Sequence, residues 1–418
     1  MTTTSTTEHR PLREITRCEV CSGELLLPVL DLGRHPLCDD LVKVGDPREC
    51  REYPINIDFC PTCITAHQRY QVPKEDLFPV DYHYRSRFTA DVLSGMRNLV
   101  ATCAERVGPL TGKLVLDVGC NDGSLLDFFT EAGARTAGIE PTGAGGDAAA
   151  KGHFVVQDYL STATAAAIRD RVGLPDVITF TNVFAHIEDL SGVLAALQVL
   201  LAPQTTIVIE NHYLGSVLDR HQFDTFYHEH PRTYSYRSFD FIAKSLGLDI
   251  VHVEFPARYG GNIRVTLGRG AGNGTGTEAA SIAREQNFLQ DFGRLARDVE
   301  LWRERKGREI RRLVAAHGPI RAKAFPGRAA ILVKLLGLTA NEIVAVHEKP
   351  GSIKIGHYVP GTRIPIVGDD ELLAQGPQTT PLLNLAWHIS TEIRRYLAEH
   401  DYQGPVFDVL TADDFKAE

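Results

Sequence analysis

Residues 223–230 gather two imidazoles (His228, His230), two carboxylates (Asp224, Glu229) and a phenol (Tyr227) in one short segment. That set suits the removal of a proton from a carbon beside a carbonyl, followed by stabilisation of the enolate oxygen that forms. Histidine has a suitable ordinary pKa for the first step, and a tyrosine or second histidine can serve the other. His228, Glu229 and His230 could instead ligate a metal, although a His-x-His spacing alone says little. A polar loop with partly exposed histidines would read the same way.

The cysteines offer different chemistry. Six of eight precede residue 64, and four of those form two CxxC turns, Cys18-Glu-Val-Cys21 and Cys60-Pro-Thr-Cys63. Each turn presents two thiolates on one side of a tight loop, and two such turns complete a tetrahedral four-sulfur site. That site leaves no open position for water, so zinc there is expected to be structural, holding together a segment too short for its own core. The competing readings are an iron–sulfur cluster and two unrelated reduced turns. Cys38 and Cys50 lie between the pairs and are expected to be small buried hydrophobes.

The elements that must position these groups begin at residue 113. The apolar run Leu114 to Val118 reads as a buried parallel strand, Gly119, Asn121, Asp122 and Gly123 as a turn, and Ser124 onward as a helix. A strand, a glycine turn and a helix open any nucleotide-binding α/β unit, so the details matter. The glycines are spaced GxxxG rather than GxGxxG, which argues against a dinucleotide-binding dehydrogenase. Asp117 ends the strand where a cationic amino-acid group would sit. The next strand, 136–140, ends in Glu140, suited to ribose hydroxyls. Asp158 closes a third strand, 154–158, and could reach an adenine amino group. A fourth, 176–181, leads to Asn182 and His186, and a fifth, 206–210, to Asn211, His212 and Tyr213. Polar groups repeated at strand ends line one crevice of a parallel sheet. The 223–230 segment follows the fifth strand and should lie over its mouth.

The bulk properties restrict the rest. A chain of 418 residues is too long for a single core. Its net charge of −9 argues against nucleic acid bound through a basic face. No apolar run reaches the roughly 18 residues of a membrane span. The polar start, residues 1–10, lacks a signal-peptide stretch, so a cytoplasmic enzyme is expected.

The motif order over residues 90–255 resembles the class I S-adenosylmethionine methyltransferases. Taken with the CxxC pairs, the Asp-Val-Gly-Cys-Asn-Asp-Gly loop, Asn182 and His186, and Tyr-His-Glu-His, the whole chain from about 17 to 400 resembles the bacterial deoxysugar C-methyltransferases of antibiotic biosynthesis. The 259–264 segment is similar to their His-Gly-Gly-x-x-Arg, and 358–365 to their Leu-Pro-Gly-x-x-Ile-Pro. The resemblance implies an α/β fold with an N-terminal zinc knuckle (11–75), a class I methyltransferase domain of Rossmann type (76–275), a helical connector (276–318) and a degenerate Rossmann-like domain (319–418) that encloses the substrate. It implies S-adenosylmethionine and structural zinc as cofactors, with zinc on Cys18, Cys21, Cys60 and Cys63.

The implied acceptor is a dTDP-linked 4-keto-deoxysugar, methylated on the carbon beside the ketone. His230 would be the general base, Tyr227 and Glu229 would flank the acceptor, and His186 would stand near the oxyanion. Cofactor contacts would come from Asp117, Gly119, Asn121, Asp122, Glu140, Asp158, Asn182 and Tyr84, and acceptor contacts from Tyr82, His228, Tyr259, Asn262 and Arg264. The implied partner is a small molecule, with no nucleic acid or membrane, on a monomer or weak homodimer. The chain departs from the family pattern at Tyr259, at 324–327 (Ala-Phe-Pro-Gly), at His347-Glu348 and at His388, all on the acceptor side. A non-sugar, nitrogen or oxygen acceptor is the first rival, and a zinc-knuckle scaffold with an inactive methyltransferase fold the second.

Overall fold

The computed structural model describes residues 11–78, 85–88, 90–270, 276–374 and 380–416. The chain forms two compact units. The first comprises residues 1–27, 58–214 and 229–286, and the second 28–57, 215–228 and 287–418.

The first unit is built on a seven-stranded sheet. Its strands are β1 (Leu114–Val118), β2 (Arg135–Ile139), β3 (Phe154–Val156), β4 (Val177–Thr181), β5 (Thr206–His212), β6 (Asp249–Glu254) and β7 (Asn262–Gly268), in the order β6-β7-β5-β4-β1-β2-β3. The five strands read from sequence are all present and run parallel. Every residue of β1 is buried, the reason its pattern is a continuous apolar run rather than an alternation. β7 runs antiparallel to both β5 and β6. The strand order reverses between β1 and β4, which opens a crevice at their carboxyl ends.

Local sequence explains the turns. Gly119 and Gly123 have φ of 73° and 76°, and Asn121 has 50°. A Cβ on Gly119 would stand 2.5 Å from Val183 Cγ2, so this left-handed turn also requires the absence of a side chain. Gly119→Val should therefore distort the loop and weaken cofactor binding, checked by calorimetry. The helix Thr162–Val172 starts from a Ser161 capping box and Leu190–Leu200 from Asp189, whose side chain accepts from Gly192 N. One face of the sheet packs Met96, Leu99 and Cys103 of the helix Ala90–Val107 with Leu125 and Phe129 onto Val115, Val177 and Val208.

In the second unit, the 30-residue helix Phe288–His317 buries Phe288, Phe292, Leu295, Val299, Trp302 and Ile310 at helical spacing. A five-stranded parallel sheet follows, made of β8 (Ile320–Lys323), β9 (Ile343–Glu348), β10 (Ile366–Gly368), β11 (Leu382–Asn384) and β12 (Val406–Asp408), in the order β10-β9-β8-β11-β12. This is the Rossmann-like arrangement expected, with a modified first turn. Ala324 sits at φ 60°, and the N–H of Phe325, which in a nucleotide-binding turn would face a phosphate, donates to the Glu348 carboxylate.

Candidate active site and metal centre

The four cysteines of the two CxxC turns come together. Cys18 Sγ lies 3.3 Å from Cys63 Sγ, Cys21 Sγ lies 3.6 Å from Cys60 Sγ, and all four sulfurs fall within 4.8 Å of one another. Tetrahedral zinc with bonds of about 2.3 Å sets sulfurs roughly 3.8 Å apart, so the cage fits that ion. With no cation, its sulfurs cannot all ionise: the hydrogen bond that Cys18 donates to Cys60, above all, pushes Cys18 up to about 12. A divalent metal reverses this by holding thiolates. Outer groups complete the cage. His67, wholly buried, places Nε2 3.3 Å from Cys18 Sγ, and Thr65 Oγ1 is 3.1 Å from Cys63 Sγ. Cys38 is buried and Cys50 half-buried; neither joins the cage.

At the carboxyl edge of the sheet, Asp117 and Glu140 are buried at the ends of adjacent strands. Burial pushes Asp117 up to about 7, with the charge of Glu140 adding to it, against a 2.7 Å hydrogen bond from Thr179 Oγ1. Two close carboxylates of this kind favour a cationic ligand. Glu140 accepts from Asn121 N at 3.0 Å and from Thr142 N and Oγ1 at 2.9 and 2.7 Å. Thr181 Oγ1, at the end of β4, is buried without a hydrogen-bond partner among the described residues, and Asn182 follows at φ 55°. The crevice thus has the donor set for S-adenosylmethionine: carboxylates for its positive groups and its ribose, and a buried hydroxyl still to be satisfied.

Not every candidate is turned to that crevice. Asn121 Oδ1 accepts from Ser86 N at 2.9 Å, and Asp122, fully buried, accepts from Arg87 N at 3.0 Å and Ser124 Oγ at 2.6 Å. Both therefore hold the 85–88 segment, and Asp122 also holds the helix start. Asp158 is exposed and accepts from Tyr159 N. Tyr82 and Tyr84 lie outside the described residues. Tyr259 belongs to the single turn Arg258–Gly260. Asn262 Nδ2 bridges Asn182 Oδ1 at 3.2 Å and Glu210 Oε1 at 2.9 Å. Arg264 is buried between Glu210 and Glu254, with nitrogens 2.6 Å from each carboxylate.

The sharpest feature is a row of three imidazoles in the first unit. The ring centroid of His230 lies 4.8 Å from that of His186 and 5.3 Å from that of His212. His186 Nδ1 donates to the Glu229 carbonyl at 2.8 Å, fastening the His186 turn to the 229–230 backbone. His212 ends β5, and the sequence pattern marks it only as part of a strand end; the bridge between Tyr213 and Tyr234, with Leu214 N donating to Tyr234 O at 2.9 Å, brings the end of β5 alongside the segment that follows His230. Tyr227 and His228 belong to the second unit, where His228 Nε2 donates to Tyr53 O at 3.2 Å and its ring meets Tyr53 edge-on.

Burial pushes both His186 and His228 down from 6.5 to about 4. Between those values the unfolded chain binds more protons than the folded one. The stability held above about pH 6.5 is therefore lost as pH falls toward 4, by up to about 1.4 kcal/mol per pH unit for each group. Urea melts between about pH 7 and pH 4.5 should show this slope, and His186→Asn should flatten it by one group's share. An unchanged slope in that variant contradicts the assignment.

The comparisons agree in domain order. Residues 18–78 match the model of a zinc binding domain, 88–253 that of a methyltransferase domain and 257–409 that of a C-methyltransferase C-terminal domain. The chain is 30% identical over 392 residues to the C-methyltransferase NovU of Streptomyces niveus, covering 91% of this chain and 92% of that one. A ubiquinone biosynthesis O-methyltransferase of Acinetobacter baumannii strain AYE is 31% identical over 103 residues, 24% of this chain and 44% of its own. Among solved structures, magnesium protoporphyrin IX methyltransferase (ChlM) from Synechocystis PCC 6803 with bound SAM covers 43% of this chain and 80% of its own, at 18% identity and a TM-score of 0.33.

Proposed function

The chain belongs to the three-domain C-methyltransferase family and is an S-adenosylmethionine-dependent methyltransferase with a structural zinc site, and from that premise we propose that its acceptor is a nucleotide-linked 4-keto-deoxysugar, with dTDP as the nucleotide. The observation that carries this reading is His230 set between His186 and His212 at the mouth of the cofactor crevice. A ketone acidifies the C–H beside it, and a carbon acceptor needs a positioned base to remove that proton before it can accept a methyl group.

His230 takes the proton from that carbon, leaving an enolate. His186, kept neutral by burial, commits its single N–H to the Glu229 carbonyl, so it positions the backbone of the base rather than donating to the enolate oxygen. Glu229, next to the base in the chain, flanks the acceptor. S-adenosylmethionine, when bound, supplies the electrophilic methyl group. Asp117, Glu140 and Asn182 hold it, with Glu140 on the ribose hydroxyls. Asn262 and Arg264 act behind the acceptor, ordering the end of β5 through Glu210.

Glu140→Ala should weaken S-adenosylmethionine binding by about 1–3 kcal/mol, the range for losing charged hydrogen bonds. Calorimetry tests this, and unchanged affinity would remove Glu140 from the cofactor site. For the acceptor, the enzyme is incubated with dTDP-4-keto-deoxysugars and S-adenosylmethionine, and mass spectrometry reads the gain of one methyl. Methylation of a nitrogen or oxygen atom in place of carbon would overturn the reading.

A further inference from the structure

The zinc knuckle and the imidazole row share one guanidinium. Arg232, two residues after His230, is fully buried. Its NH1 pairs with the carboxylate of Glu19, the residue after Cys18 in the first CxxC turn. Its NH2 donates to the carbonyl of Ile187 and, at 3.3 Å, to that of Glu188, the two residues after His186. Its Nε donates to Tyr234 Oη at 3.0 Å. Backbone pairing reinforces the link: Arg232 and Thr233 lie antiparallel to His67 and Ala66, and Gln68 N donates to Pro231 O at 2.9 Å. Glu19 is itself held by Gln71 Nε2 at 2.9 Å and Arg13 NH2 at 2.6 Å.

We propose that Arg232 is a positioning residue through which the zinc knuckle, by way of Glu19, sets the placement of His186 against His230. The catalytic part of this rests on the reading of the imidazole row given above. A buried arginine costs several kcal/mol in desolvation unless its donors are used, and here one rigid fork serves three chain segments at once. Two of those segments carry the facing histidines, and the third is locked by metal. A hydrophobic residue of similar volume could fill the space, but it could not fix the carbonyls after His186. Lysine keeps the charge for Glu19, yet its single ammonium lacks the fork. The closed zinc site thereby acquires a second role, with no metal chemistry involved.

The test uses full-length Arg232→Met, Arg232→Lys and Glu19→Gln proteins, each with zinc content and S-adenosylmethionine affinity measured first. Hydrogen–deuterium exchange read by mass spectrometry needs no acceptor. The peptides covering 184–189 and 229–234 should lose protection in Arg232→Met, while those around Cys18–Cys21 and Cys60–Cys63 stay as in the wild type. On a dTDP-4-keto-deoxysugar that the wild type methylates, kcat should fall on the order of 100-fold with KM and cofactor affinity nearly unchanged, and Arg232→Lys should recover part of it. Wild-type protection of 184–189 and 229–234 in zinc-loaded Arg232→Met overturns the proposal, as does lost protection with unchanged kcat. Should Arg232→Met not fold, Arg232→Lys and Glu19→Gln carry the same exchange test. A wild type that methylates no such sugar overturns the acceptor assignment instead, and the exchange result still decides the positioning role.

Discussion

His230→Asn lowers methyl transfer by roughly 10²–10⁴-fold, the range for removing a general base, while S-adenosylmethionine binds as before. The expectation rests on the division of labour within the imidazole row. His230 is buried between two other rings, and its backbone neighbour Glu229 is fastened to His186 through a carbonyl. Asparagine keeps the polarity and much of the volume but cannot take a proton at neutral pH. His186→Asn should fail differently: the base remains, and the rate falls because the Glu229 carbonyl beside it loses its imidazole anchor. Steady-state kinetics of the two variants and of His212→Asn separate the roles. Near-normal turnover in His230→Asn together with a dead His228→Ala would move the base to the other histidine of the segment. Full activity in both would take the segment out of the mechanism.

Loss of a zinc ligand should have the largest effect on the folded state. The apparent binding energy of structural zinc in small knuckles, about 10–16 kcal/mol, rivals the whole stability of an ordinary domain, about 5–15 kcal/mol. Cys18→Ser or Cys63→Ser leaves a buried hydroxyl among three thiols and should collapse the yield of soluble protein. The wild type should carry about one zinc per chain by elemental analysis. Metal-free protein, or a stable quadruple serine variant, would contradict the assignment.

Much of this was legible in sequence because the signals were local. A CxxC turn fixes its own geometry, and a strand buried on both faces reads as an apolar run whatever lies around it. The five parallel strands and the long helix Phe288–His317 declare themselves in that way. Pairing across the chain was not legible. β6 and β7 run antiparallel at one edge of the sheet, and the charges of Arg264 and Glu210 are buried there beside a half-buried Glu254. In sequence, Arg264 stands as an acceptor contact implied by the family resemblance; its carboxylate partners are 54 and 10 residues away. His212 was hidden for the same reason, since it is long-range pairing, the Tyr213–Tyr234 bridge, that brings a strand-end histidine beside His230. Asn121 and Asp122 show the reverse case, where a polar turn that looks made for a ligand is used to hold the chain's own 85–88 segment.

Proton removal can be observed apart from methyl transfer. A dTDP-4-keto-deoxysugar incubated with the enzyme in deuterium oxide, without S-adenosylmethionine, should gain deuterium at the carbon beside the ketone, and the His230→Asn protein should leave it unlabelled. Methylation of that sugar with no exchange in the wild type, or equal exchange in His230→Asn, would contradict an enolate formed by His230.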